Sequence, residues 1–178
     1  HEEELIKPAL AGTQRILKLS AQSSQVKKVV ITSSFAAVGD TFDGKIVFNE
    51  SDWSDPSNPK ISAYNKSKTL AEKSAWEFME SNPSFKLTVI NPVAVIGPML
   101  SDDLGTSNLF VKKMLDGSTP GNPGLHIGFV DVRDVARAHI ESIKNEKSDN
   151  KRIILSKDEL WVSELSEILR ELGYKAPT

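Results

Sequence analysis

Two residues one helical turn apart, Tyr64 and Lys68 in the segment Ala63-Tyr64-Asn65-Lys66-Ser67-Lys68, carry the groups needed for proton transfer. Positions i and i+4 of a helix share a face, so the phenol and the ammonium are expected to point at one small volume. A neighbouring cation favours the phenolate, which brings a tyrosine from about 10 toward the range where it serves as a general acid near neutral pH. By itself, Tyr-x-x-x-Lys also describes a partly buried aromatic beside a solvated lysine. A second pair of reactive groups stands upstream, where Val29-Val30-Ile31-Thr32 runs into Ser33 and Ser34. Ligands of open α/β sheets bind outside the carboxyl ends of the strands, and two hydroxyls at such an end are placed for chemistry. Serines also close strand-to-loop turns, so the residues alone leave both readings open.

The elements that must position these groups are legible as an alternation of helix and strand. Leu5, Ile6, Leu10, Ile16, Leu17 and Leu19 recur at helical spacing and predict a helix over 2–24, with Pro8 either in its first turn or at a kink. The β-branched run 28–33 suits a parallel strand buried on both faces. Residues 39–60, rich in Gly, Asp, Asn, Ser and Pro, predict a long surface loop, and loops of that length are usually functional. Ser62 is the expected cap of a helix over 62–81, in which Ser67, Ala71, Ser74 and Ala75 permit a close approach to the sheet. After an Asn82-Pro83-Ser84 turn, Leu87–Ile90 is a second buried strand, which Asn91-Pro92 should end because proline cannot continue a central ladder. Its carboxyl end is expected beside Ser34.

Further along, 106–115 predicts an amphipathic helix, and Asp131 a cap for a helix over 132–144 with His139 on or near its apolar face, packed rather than ligating. A short strand over 152–156 and a helix over 163–172 stopped at Gly173 complete the pattern. The cluster Gly117-Ser118-Thr119-Pro120-Gly121-Asn122-Pro123-Gly124 follows a helix and contains two prolines without N–H donors, so it reads as a loop and not as a phosphate cradle. Alternating strands and helices imply an α/β fold with a parallel sheet covered on both faces.

Composition narrows the classes of partner. The 178 residues, 39% of them hydrophobic, suffice for one ordinary core, and the charge of −2 from 22 basic and 24 acidic residues contains no stripe for nucleic acid and no polybasic cluster for a membrane. There are no cysteines, which excludes disulfides, zinc-thiolate sites and a cysteine nucleophile. The absence of a long apolar run and the polar start His1-Glu2-Glu3-Glu4 point to a cytoplasmic protein that handles a small molecule.

Taken together, Thr32-Ser33-Ser34, Tyr64-x-x-x-Lys68, Asn91-Pro92-Val93-Ala94-Val95-Ile96-Gly97-Pro98 and the run from Phe129 to His139 resemble the extended short-chain dehydrogenase/reductase superfamily. Lys7–Thr13 and Glu50–Asp55 are most similar to its dihydroflavonol, aldehyde and methylglyoxal reductase branch. The resemblance implies a Rossmann-like doubly wound sheet and reduction of a carbonyl to an alcohol, with NADPH a better expectation than NADH. It implies catalytic roles for Ser34, Tyr64 and Lys68, and cofactor contacts from Ser33, Tyr64, Lys68, Pro92, Val93, Val95 and Ser107. It makes Phe35, the 39–60 loop and the residues after Pro98 the expected substrate walls. The partners would be a nicotinamide cofactor and a small carbonyl substrate, with neither nucleic acid nor membrane, in a monomer or homodimer. A nucleotide-sugar epimerase or dehydratase shares the same triad, and a non-catalytic protein could keep the fold.

No strand followed by G-x-G-x-x-G occurs, so the phosphate-binding turn and the residue that selects NAD or NADP are not in these residues. The chain is therefore expected to be the middle of a longer enzyme, inactive as it stands. It would form a single α/β unit over 1–178, lacking the first mononucleotide-binding half, with 99–127 and 156–178 contributing to a substrate lobe.

Overall fold

The computed structural model describes residues 2–40, 45–81 and 84–178; residues 41–44 of the expected loop and 82–83 of the expected turn lie outside the described residues. The chain divides into two compact units, His1–Pro92 with Ala138–Ile154, and Val93–Arg137 with Leu155–Thr178.

In the first unit, α1 (Glu2–Gln22) opens on three glutamates, whose charge suits the positive end of a helix, and Pro8 sits inside it rather than in its first turn. Next come β1 (Lys28–Thr32), a 3₁₀ turn at Phe35–Ala37, α2 (Ala63–Ser81) and β2 (Lys86–Pro92). The strand order is β1-β2-β5, with β5 at Lys151–Leu155. β1 and β2 are parallel, Lys28 opposite Lys86 through Thr32 opposite Ile90. Leu87 through Pro92 are buried throughout, as a central strand of a covered sheet requires. Leu17 of α1, Ala75 of α2 and Phe85, Leu87 and Val89 form the core. The small residues Ser67, Ala71, Ser74 and Ala75 are all buried, consistent with the close approach that the sequence predicts for α2.

One expectation needs correction here. β2 runs on through Asn91 and Pro92 rather than ending before them. The ladder with β1 stops at Ile90, so the N–H that proline lacks is not required on that side.

The second unit holds β3 (Ala94–Ile96), α3 (Gly105–Leu115), β4 (His126–Asp131), the start of α4 (Val132–Lys144), β6 (Asp158–Trp161) and α5 (Val162–Glu171). Its sheet, in the order β3-β4-β6, was not anticipated. β3 pairs parallel with β4, and β4 antiparallel with β6. The strands are short, and Gly128 interrupts the β-branched pattern of β4. A Cβ there would lie 3.0 Å from the Val93 side chain and 3.2 Å from Ser156 Oγ, so close packing takes the place of a side chain. Met114, Val162, Leu169 and Ala176 form the core of this unit. Asp131 caps α4 as expected, its Oδ1 accepting the Arg133 N–H at 2.7 Å. Gly173, at φ +88°, stops α5.

Candidate active site at the carboxyl end of β1

Helix α2 starts where Ser62 Oγ accepts the Asn65 N–H at 3.1 Å, which satisfies one of the donors orphaned at a helix start. That cap puts Tyr64 in the first turn and Lys68 one turn on. The Lys68 ammonium lies 5.7 Å from the centre of the Tyr64 ring, so the shared face predicted by the spacing is formed. Tyr64 is half exposed, and among the described residues its hydroxyl has no hydrogen-bond partner and Lys68 no carboxylate partner.

The strand end is held from several sides. The Ser33 N–H donates to Ile90 O at 2.8 Å, which sets the end of β1 beside the end of β2. Ser34 Oγ accepts from Ala36 N–H at 3.1 Å and so caps the 3₁₀ turn, leaving its own proton available to donate. Asn91 Nδ2 donates to Ser34 O at 3.1 Å, as the neighbouring strand ends led us to expect. Phe35 packs edge-to-face against Phe48, with ring centres 5.5 Å apart, so this candidate substrate wall is braced by the 45–60 segment. Ser33 and Lys68 line one cleft of about 130 Å³, together with Thr32, Ala71 and Glu72.

Pro92 is buried at the end of β2. Val93, Val95 and Ser107 belong to the second unit. There, the Val93 N–H donates to Leu155 O at 3.1 Å, Val95 pairs with Val130, and Ser107 lies in the first turn of α3. His139 is satisfied as expected, its Nε2 standing 2.7 Å from Thr32 Oγ1.

Beneath the strand ends lies a buried polar group that the sequence reading missed. Glu72, 3% exposed, accepts from Ser33 Oγ at 2.5 Å and Asn91 Nδ2 at 2.7 Å on one oxygen, and from Arg152 Nε at 2.5 Å on the other. The Arg152 guanidinium carbon lies over the Trp53 ring, 3.7 Å from its centre, and the guanidinium donates to the carbonyls of Glu50 and Asp52. The loop is organised further at Asp52, where the hydrogen bond from Lys45 and the backbone N–H of Asn49 hold the carboxyl below the usual carboxylate range. Glu72 was detectable, because it follows Lys68 by one more helical turn on the same stripe. Arg152, 80 residues further on, left no local signal. A larger groove of about 660 Å³ beside Trp53, Trp76 and Arg152 contains none of the residues expected to do chemistry.

Among the described residues no cluster of acidic and histidine side chains could hold a metal, and no helix is long and apolar enough to cross a membrane.

Comparison with known proteins extends this picture. The chain is 38% identical over 192 residues to the NADPH-dependent methylglyoxal reductase of Saccharomyces cerevisiae, covering 96% of this chain and 55% of that protein. It is 38% identical over 178 residues to a cinnamoyl-CoA reductase of Medicago truncatula, covering 96% of this chain and 53% of that one. The fold superposes on the crystal structure of yeast methylglyoxal/isovaleraldehyde reductase complexed with NADPH with a TM-score of 0.81 at 33% identity, over 97% of this chain and 57% of that chain. The chain thus spans about half the length of the curated relatives it matches. Motif order, the Rossmann-like sheet and these relatives agree with the family profile that matches residues 1–155, and the chain belongs to the NAD dependent epimerase/dehydratase family.

Proposed function

We propose that the protein reduces a small aldehyde or ketone to the alcohol with NADPH, using Ser34, Tyr64 and Lys68. The observation that carries this reading is the Tyr64–Lys68 pair on one face of α2, with Lys68 sharing a cleft with the Ser33 strand end. The residues fit the nicotinamide end of such a cofactor. An ammonium with three donors and no carboxylate partner suits vicinal ribose hydroxyls, and a cleft of about 130 Å³ has the scale of a sugar ring. Whole-ligand pockets are larger, roughly 300–1,000 Å³. When bound, the nicotinamide supplies the hydride.

The chain's own residues do the rest. Tyr64 gives its hydroxyl proton to the substrate carbonyl oxygen as negative charge develops there. The Ser34 hydroxyl donates a hydrogen bond to that oxygen and holds it in line with the Tyr64 proton. Lys68 stabilises the phenolate left on Tyr64 and positions the ribose, so one cation does two jobs. Pro92, Val93, Val95 and Ser107 are assigned to the cofactor side, and Phe35 to the substrate side. Among the family's chemistries, reduction is favoured over epimerisation by relatives at 38% identity that are named as reductases.

The test is steady-state reduction of methylglyoxal and cinnamaldehyde by the full-length protein with NADPH. Tyr64→Phe keeps the ring and removes the proton, and should lower kcat by about 10²–10⁴-fold without unfolding the protein. Lys68→Met should impair both kcat and NADPH affinity. A Tyr64→Phe variant with undiminished turnover ends this reading.

A further inference from the structure

We propose that Glu72 is a positioning residue for Ser34, acting through the side-chain amide of Asn91. This rests on the carbonyl-reductase reading above. Asn91 Nδ2 is shared between Glu72 Oε2 at 2.7 Å and Ser34 O at 3.1 Å. Were the amide turned over, its oxygen would face a carboxylate and a carbonyl, both acceptors, so the Glu72 charge fixes which way Asn91 points. The fully buried Asn91 Oδ1 has no partner among the described residues. A buried oxygen is thus left unsatisfied while the amide donor stays on Ser34. Leaving a buried acceptor unmade is unfavourable, which argues that the orientation of Nδ2 is what the arrangement preserves.

The carbonyl so gripped also accepts the Ala37 N–H at 3.0 Å, and the hydroxyl of the same residue accepts the Ala36 N–H. The turn that aims the Ser34 hydroxyl is therefore tied to Glu72 by one side chain. Glu72 holds the preceding residue as well, through the Ser33 hydroxyl at 2.5 Å. It stands on the same stripe of α2, two turns on from Tyr64 and one from Lys68, so helix α2 carries the proton donor, the ribose ligand and the anchor of the third catalytic group on a single face. Arg152, with its side chain 8% exposed, supplies the opposite charge that allows a carboxylate there.

The experiment is a kinetic double-mutant cycle in the full-length protein with NADPH, joined to hydrogen exchange. Glu72→Gln is expected to lower kcat by up to about 10²-fold, the scale on which misplacement of a catalytic group acts. The NADPH dissociation constant is read by nucleotide fluorescence, so that kcat is compared at saturating cofactor in every variant. Because Glu72 acts through Ser34, adding Glu72→Gln to Ser34→Ala should slow the enzyme little further. Exchange of the Ala37, Val38 and Gly39 amides should quicken about tenfold in Glu72→Gln while the amides of α1 stay unchanged. If Glu72→Gln does not fold, Asn91→Leu cuts the same route while keeping the branching of the side chain and is read in the same cycle. Multiplying effects in the double variant, or unchanged exchange in the 37–39 turn, overturn the proposal. If Ser34→Ala alone leaves kcat intact, the role given to Ser34 above fails, and the exchange result still decides whether Glu72 holds the turn.

Discussion

Replacing Arg152 by methionine tests the buried ion pair most directly. The Arg152 and Glu72 side chains are 8% and 1% exposed, and their N···O separation is 2.5 Å. Truncating one partner of such a pair leaves an uncompensated buried charge, which costs about 3–5 kcal/mol. The lost stacking on Trp53, at 3.7 Å, adds about 0.5–2 kcal/mol more. For a chain of 178 residues, 3–5 kcal/mol corresponds to a fall in Tm of roughly 6–20 °C. Urea unfolding followed by tryptophan fluorescence reads the free-energy loss and a thermal scan the Tm, both in a Trp161→Phe background so that emission comes from Trp53 and Trp76 of the first unit. Adding Glu72→Gln to Arg152→Met removes the stranded charge and should recover about 1 kcal/mol or more, although Glu72→Gln alone is destabilising. A double variant at least as unstable as Arg152→Met would refute the reasoning, because the cost would then not arise from the charge on Glu72.

Two smaller effects follow from the helix starts. Ser62→Ala removes the α2 cap and should cost about 1 kcal/mol in the same unfolding assay. The side-chain hydrogen bonds from Arg133, followed by its backbone N–H, lower Asp131 from 3.8 to about 2, so an NMR titration should place its carboxyl midpoint near 2 and Arg133→Ala should raise it. Since the folded value lies below the unfolded one, the stabilisation is fully present above about pH 4 and is lost as the pH falls through 2.

What the sequence determined by itself was local, or carried by motif order. The pairing of Tyr64 with Lys68 follows from helical periodicity, the start of α2 from Ser62, and the stop of α5 from Gly173; each depends on residues within one or two turns. The strands β1 and β2 were visible because their apolar runs are short, enriched in β-branched residues and bounded by turn residues, which together favour a strand over a buried helix. The order of four motifs pointed to the family, and the alternation of strands and helices to the parallel sheet. The second sheet was invisible for the opposite reason. Its strands are three to six residues long, one contains Gly128, and what makes them strands is pairing between Ala94 and Phe129 and between Phe129 and Asp158, which no local pattern encodes. The same holds beneath the candidate site. Glu72 could have been picked from its spacing to Lys68, but its partners Ser33, Asn91 and Arg152 lie 39, 19 and 80 residues away. Only the packing of α2 against the ends of β1 and β2 brings them together, because a buried carboxylate is tolerated only where the fold delivers a counter-charge and donors to it.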